Sequence, residues 1–446
     1  MAPGEAPARP RWGRRVLLAL LAALAVAVVA LGLAVQRRLA QRESGLGVVQ
    51  APSEFAALEG SSGRTGSFST RIDFTSMATG SETISTEVAW DDDWFFRDPT
   101  VYNHDLATTC SVLSAVANSE SAYYQAGSDS PAYMEAALAA LGFEEISTAS
   151  YQYRSEIFDE VVDLITGTDD VVAYSVAAKR VTGGGGAEKT LFLVSIRGSY
   201  GSEWLSDLNM GDAAAYDMDE ITHEGFAQAA REIVDVLAER VTEEAGLDGT
   251  DDICLLFTGH SRGAAVANIA AAYADEMSQG LRVLAPLEGI YCYTFATPEV
   301  TTFDNARDAL YDNVFNVMNP SDLVPRLPLA SWGYERYGHD LWLPGHGDEG
   351  FGEKYEAMCK IFEANTGVGC PYVPEDRERV DRLVEDLARE IPTADDLASA
   401  GGVFSLAHDL LADVNPVQVL YGHYPSVYIA YMQSVNWGQS PIDTTD

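Results

Sequence analysis

Two kinds of hydrophobic pattern alternate along the central part of this chain. Short stretches at residues 171–181, 190–196, 253–257, 289–295 and 314–318 are apolar at nearly every position. A strand buried on both faces of a sheet needs such a run, so each is predicted as a strand. Between and around them, residues 102–118, 132–141 and 223–245 carry apolar side chains at helical spacing; in the last, Phe226, Ala229, Ile233, Val236 and Leu237 share a face. The Gly183–Gly186 run between the first two strands predicts a hairpin. Upstream, residues 67–96 read as β-rich because Phe68, Thr70, Ile72 and Phe74 alternate onto one side. Strands alternating with helices predict an α/β fold: a mostly parallel sheet with helices on both faces.

Toward the C-terminus, residues 345–416 become helical and highly charged. Val380, Leu383, Val384, Leu387 and Ile391 recur at helical spacing, and Val403, Phe404, Leu406, Leu410 and Leu411 repeat the theme. This is predicted to be a helical insertion, serving either as a lid over a pocket or as a fixed cap. At the other end, residues 16–35 are apolar apart from Gly32 and carry no charge. As a helix they would span about 30 Å, the thickness of a bilayer core, and they exceed the usual apolar length of a cleaved signal. The expected layout is a cytoplasmic tail at 1–15, a transmembrane anchor at 16–35, a linker at 36–66 and one domain at 67–446. The catalytic domain is then extracytoplasmic, or secreted if the N-terminal segment is cleaved.

Composition changes the picture in two ways. The formal charge of −39 argues against nucleic acid or an anionic lipid surface as a partner of the folded part. The five cysteines are too few for a disulfide scaffold in 446 residues. Cys110, Cys254 and Cys292 lie in apolar patterns and read as buried thiols, whereas Cys359 and Cys370 leave a local bridge open.

The candidate chemistry centres on Thr258-Gly259-His260-Ser261-Arg262-Gly263, set between the strand at 253–257 and an alanine-rich helical run. A nucleophilic serine held on a sharp strand-to-helix turn needs small residues on either side so that the backbones can pass. Such a serine needs a base, and the base an orienting acid, in the chain order Ser, Asp or Glu, His. His104, His223 and His260 precede Ser261. His408 sits in a helical pattern, and His339 and His346 have no specific metal-site spacing. His423 occupies a turn, Tyr421-Gly422-His423-Tyr424-Pro425, just before an apolar helical run, and is the candidate base. Asp322, in Asn319-Pro320-Ser321-Asp322, follows the strand at 314–318, at the carboxyl end where parallel sheets place reacting groups. Its local sequence reads equally as a turn or helix cap.

Taken together these residues resemble the class 3 lipases, the fungal-lipase-like branch of the α/β-hydrolases. Ser195-Ile196-Arg197-Gly198-Ser199 with Trp204-Leu205-Ser206-Asp207 resembles the family's oxyanion loop, and His223-Glu224-Gly225-Phe226 its motif before the elbow strand. Thr294-Phe295-Ala296-Thr297-Pro298 resembles the motif after that strand, with Ala296 where the family usually has glycine. Asp322-Leu323-Val324-Pro325 resembles the acid motif. The resemblance runs from about residue 171 to 432. It implies an α/β-hydrolase fold with the helical insertion before the catalytic histidine, and a triad of Ser261, Asp322 and His423. It also implies an oxyanion hole formed by Ser199 and Arg262, needing neither metal nor organic cofactor. The expected activity is hydrolysis of carboxylic esters, of acylglycerols or related lipids, through an acyl-enzyme. The alternatives are a short-chain or aryl carboxylesterase and a catalytically silent surface binding protein.

Overall fold

The computed structural model describes residues 48–50, 63–80, 82–119, 132–151, 172–198, 224–245, 249–393 and 421–435. The expected anchor at 16–35 lies outside them. No helix among the described residues is long and apolar enough to cross a membrane.

Chain order begins with a short edge strand, β1 (Val48–Gln50), and a separate antiparallel hairpin of β2 (Ser67–Thr75) and β3 (Thr83–Asp91). The main sheet continues with β4 (Glu144–Tyr151), β5 (Tyr174–Thr182), β6 (Glu188–Ile196), β7 (Ile253–His260), β8 (Ile290–Phe295), β9 (Val314–Met318) and β10 (His339–Trp342). Its eight strands lie in the order β1-β4-β5-β6-β7-β8-β9-β10. The pairings from β6 to β10 are parallel, and those from β1 to β6 antiparallel. The change of sense at β6 follows from the connections. The Gly183–Gly186 turn is too short for anything but a hairpin, whereas each parallel step needs a crossover. Strand β1 falls inside the stretch expected to be a linker: Val48 pairs with Tyr151. Three residues are too few to display a strand's period, so sequence pattern could not reveal it.

Residues of β6 and β7 alternate between two cores. Leu191, Leu193, Cys254 and Leu256 face one, packed under α1 (His104–Ser119) and the C-terminal part of the chain. Phe192, Val194, Leu255 and Phe257 face the other, packed on α3 (Glu224–Ala245) and α4 (Arg262–Ser278). The small helix α2 (Tyr133–Ala140) lies with α1 against the β2–β3 hairpin. Both faces being covered explains why these strands read as unbroken apolar runs.

The loop after β8 carries backbone strain. Ala296 adopts φ = 53° while its N–H donates to the Val317 carbonyl at 3.0 Å. A left-handed backbone costs a residue with a Cβ roughly 1–2 kcal/mol, and glycine escapes this at the expense of unfolded-state entropy. Ala296→Gly is therefore expected to stabilise the protein by roughly 0.5–1 kcal/mol, read as a higher urea midpoint at unchanged m. A lower midpoint would refute the strain argument.

The first half of the helical insertion is bolted to the sheet. Helix α5 (Phe351–Thr366) packs on the terminal helix α7 (Pro425–Ser434). Helix α6 (Asp376–Glu390) inserts Val380, Leu383 and Leu387 among Leu323, Leu327 and Leu329 of the loop after β9. Each such side chain stabilises by roughly 1.5–3 kcal/mol when fully buried, which is too much for α6 to lift away as a thermally opening lid. Arg326 pairs with Asp381 at 3.1 Å and Trp332 donates to the Ile391 carbonyl at 2.8 Å, fastening the same contact. Residues 394–416 of the insertion lie outside the described residues.

Candidate active site

Ser261 follows the last residue of β7 and immediately precedes α4. Its backbone, at φ = 59° and ψ = −129°, lies where a non-glycine residue is held only by surrounding structure. The flanking glycines are needed for approach. A Cβ at Gly259 would collide with the Gly263 backbone, and one at Gly263 with the Ile196 and Arg197 backbones. Behind the turn, Ala264, Ala265, Ala267, Ala270 and Ala271 are fully buried, so α4 lies close against the sheet.

The structure brings Ser261, His423 and Asp322 together from three separate elements. His423 Nε2 lies 2.8 Å from Ser261 Oγ, and His423 Nδ1 lies 2.8 Å from Asp322 Oδ2. Asp322 is fully buried, and it accepts two further hydrogen bonds. The Tyr428 hydroxyl donates to Oδ2 at 2.8 Å, and the Val324 N–H to Oδ1 at 3.0 Å. Burial, followed by the neighbouring carboxylate, holds the Tyr428 phenol well above its ordinary range, so it remains a donor. The acid loop is itself pinned to the base's turn, because the Asn319 side-chain amide donates to the Gly422 carbonyl at 2.9 Å.

A polar network behind the sheet joins the serine's helix to the acid's strand. Asn268 of α4 donates to Asn316 Oδ1 of β9 at 2.9 Å, and the Thr294 hydroxyl of β8 donates to the same oxygen at 2.7 Å. All three are fully buried. Such groups are costly unless paired, and pairing them fixes the mutual position of the elements that carry Ser261 and Asp322.

Of the two expected oxyanion donors, Ser199 lies outside the described residues. The residue before it is held: the Gly198 N–H donates to Asn118 Oδ1 at 2.8 Å, and a Cβ there would strike the His260 carbonyl. Arg262 is the first residue of α4. Its backbone N–H lies in the first turn, at the positive end of that helix. Its side chain is half-buried rather than extended into solvent. His339 and His346 do not converge; they face Asp312 and Glu378 respectively. No group of three metal-ligating residues occurs among the described residues.

Two residues of the site escaped sequence reasoning. Tyr428 belongs to an apolar helical run, and only its placement one turn into α7 reveals its hydroxyl as a partner of Asp322. His260 precedes the serine and its ring does not reach Ser261 Oγ; instead it packs 4.6 Å from the His423 ring, centroid to centroid, and edge-on to Tyr428. Neither of its nitrogens makes a hydrogen bond of good geometry among the described residues. Burial first, and the adjacent His423 second, hold its pKa well below the ordinary 6.5.

The folded His260 thus refuses a proton that the unfolded chain accepts. Its contribution to stability is fully present above pH 6.5 and falls with pH below it, by about 1 kcal/mol between pH 6.5 and 5.5 while the folded imidazole stays neutral. Urea unfolding of the wild type and His260→Phe at pH 6.5 and 5.5 should show that difference in slope. Equal slopes would mean that His260 titrates normally in the fold.

With this geometry described, the chain can be set beside known proteins. Residues 193–332 match the family model described as Lipase (class 3). The secreted mono- and diacylglycerol lipase 1 of Fusarium solani is 29% identical over 196 residues, covering 42% of this chain and 51% of that protein. The lipase of Rhizomucor miehei is 25% identical over 168 residues, covering 37% and 45%. A solved structure of the Rhizomucor miehei lipase propeptide complex is 19% identical, covers 53% of this chain and 67% of the other, and overlays with a TM-score of 0.36. The chain spans about half the length of the curated relatives it matches. The family match begins in the strand that leads to the Gly198 turn, takes in the serine elbow and ends beyond the acid loop, so residues 193–332 carry the likeness to the class 3 lipase family.

Proposed function

We propose that the protein is a serine ester hydrolase of the lipase type, with acylglycerols or related lipid esters as substrates. The observation that carries this reading is the unbroken relay from Ser261 Oγ through His423 to Asp322, both links at 2.8 Å, in a chain with a class 3 lipase match. The substrate class is supported by the relatives, which act on mono- and diacylglycerols by their names.

In the proposed reaction Ser261 Oγ attacks the ester carbonyl while His423 Nε2 takes its proton. Asp322 keeps the proton of His423 on Nδ1 and offsets the charge of the imidazolium. The oxyanion rests on the N–H groups of Arg262 and Ser199, each worth about 3 kcal/mol when aimed at the developing charge. His423 returns the proton to the leaving alcohol. A water molecule then repeats the sequence on the acyl-enzyme and frees the acid. Residues 16–35 would anchor this domain outside a membrane, a reading supported by their apolar length alone; the word "secreted" in the relatives' names agrees with an extracytoplasmic site.

The test is a chain-length series of p-nitrophenyl esters together with emulsified mono-, di- and triacylglycerols. Turnover of long-chain and emulsified esters is expected. Activity peaking at acetate, with none on emulsions, would replace the lipase reading with a short-chain esterase. Failure of a fluorophosphonate to label Ser261 would leave a binding protein.

A further inference from the structure

Three of the five cysteines, Cys110, Cys254 and Cys292, are completely buried in the core. The other two share a different environment. Cys359 sits on α5, which ends at Gly367, where φ = 74° and the N–H donates back to the Glu363 carbonyl at 2.8 Å. A left-handed cap of this kind reverses the chain. The returning segment therefore runs back along the helix it has just left. Two contacts fasten it there: the Cys370 thiol donates to Met358 Sδ at 3.9 Å, and the Tyr355 hydroxyl donates to the Tyr372 carbonyl at 2.8 Å. These pins set Cys370 against Met358, the chain neighbour of Cys359, with both cysteines half-buried and close enough to act on one another electrostatically.

We propose that Cys359 and Cys370 are a disulfide-forming pair, a covalent staple that closes the reversal at Gly367. The pairing is local, because the contacts of Tyr355 with Tyr372 and of Met358 with Cys370 already hold the returning segment beside α5. The staple also reaches the candidate site. Two residues beyond Cys370, the Tyr372 hydroxyl shares a hydrogen bond with Ser321 Oγ at 2.9 Å and donates to Asn319 Oδ1 at 3.3 Å, on the loop that presents Asp322. This proposal stands apart from the ester-hydrolase reading and survives its failure.

A small-molecule disulfide such as oxidised glutathione suffices as oxidant. Burial pushes the Cys370 thiol up to about 12, which disfavours its thiolate, so the first step falls to Cys359. The Cys359 thiolate attacks one glutathione sulfur, forming a mixed disulfide and expelling one glutathione thiolate. Cys370 loses its proton and displaces the second glutathione. Two electrons pass from the cysteine pair to the glutathione disulfide, and the two thiol protons end on the two departing glutathione thiolates.

The test uses the folded full chain, equilibrated in reduced or in oxidised glutathione, quenched with a thiol-alkylating reagent and mapped by mass spectrometry. In oxidised buffer a peptide pair joining Cys359 to Cys370 is expected, two hydrogens lighter than the reduced pair and restored by dithiothreitol. Cys110, Cys254 and Cys292 should become alkylatable only after denaturation. The oxidised form should melt at a higher temperature than the reduced form, and Cys359→Ser should lose that difference. Both thiols remaining alkylatable in oxidised buffer, or each ending on its own glutathione, would overturn the pairing. An oxidised wild type melting with the reduced one would overturn the staple.

Discussion

Replacing Ser261 by alanine is expected to lower kcat for ester hydrolysis by about a million-fold, the scale on which serine hydrolases lose activity when the nucleophile goes. The alteration removes one oxygen and keeps the Cβ, so the strained backbone at φ = 59° is neither relieved nor worsened. Far-UV circular dichroism and the melting temperature should therefore match those of the wild type, and the fluorophosphonate adduct should vanish. A variant retaining more than a tenth of wild-type kcat would remove Ser261 from the mechanism. The residual rate expected of Ser261→Ala is itself informative, since whatever exceeds the rate in water must come from binding and the oxyanion donors.

Asp322→Asn is expected to cost about ten thousand-fold in kcat, with the fold intact. The reason is tautomeric. As carboxylate, Asp322 accepts from His423 Nδ1–H, which leaves Nε2 free to take the serine proton across 2.8 Å. An amide nitrogen facing Nδ1 would donate instead, moving the imidazole proton to Nε2 and blocking that step. Were Asp322 only a turn residue, the same change would leave kcat within a few-fold and show itself in stability. Tyr428→Phe supplies a graded companion. It removes one hydrogen bond to Oδ2, worth about 1.5–3 kcal/mol when charge-assisted, so kcat should fall by roughly ten- to a hundred-fold.

Much of this site is written locally. Gly259 and Gly263 are required because the backbones pass too closely for any Cβ, and both can be read from the pentapeptide. The strands at β6, β7, β8 and β9 announce themselves as unbroken apolar runs because helices cover both faces of the sheet. Asp322 was legible locally only as a residue at the carboxyl end of a parallel strand, since a turn cap has the same local sequence; its partnership with His423 was expected from the family resemblance. Tyr428 and His260 were hidden for another reason. A tyrosine in an apolar helix and a histidine beside a nucleophile look like packing, and only the approach of α7 to the elbow gives the one a carboxylate and the other an imidazole.

The helical insertion makes the same point from the other side. Its amphipathic period identified Val380, Leu383 and Leu387 as an apolar face, but period says nothing about what a face meets. The structure sets that face on Leu323, Leu327 and Leu329, making α6 a buttress of the loop that carries Asp322.

By itself, then, the sequence determined the central strands and the helices beside them, the two-sided burial of the sheet and the turn at Ser261. Each depends on residues within a few positions of one another, where sterics and hydrophobic period act directly. The tertiary structure supplied the contacts by which residues 101 and 162 positions from His423 meet its two nitrogens, and it alone decided that Tyr428 and His260 surround the relay and that Cys370 returns to the helix carrying Cys359. Those contacts join separate elements, and their geometry follows from how the sheet and its covering helices pack, which no local pattern encodes.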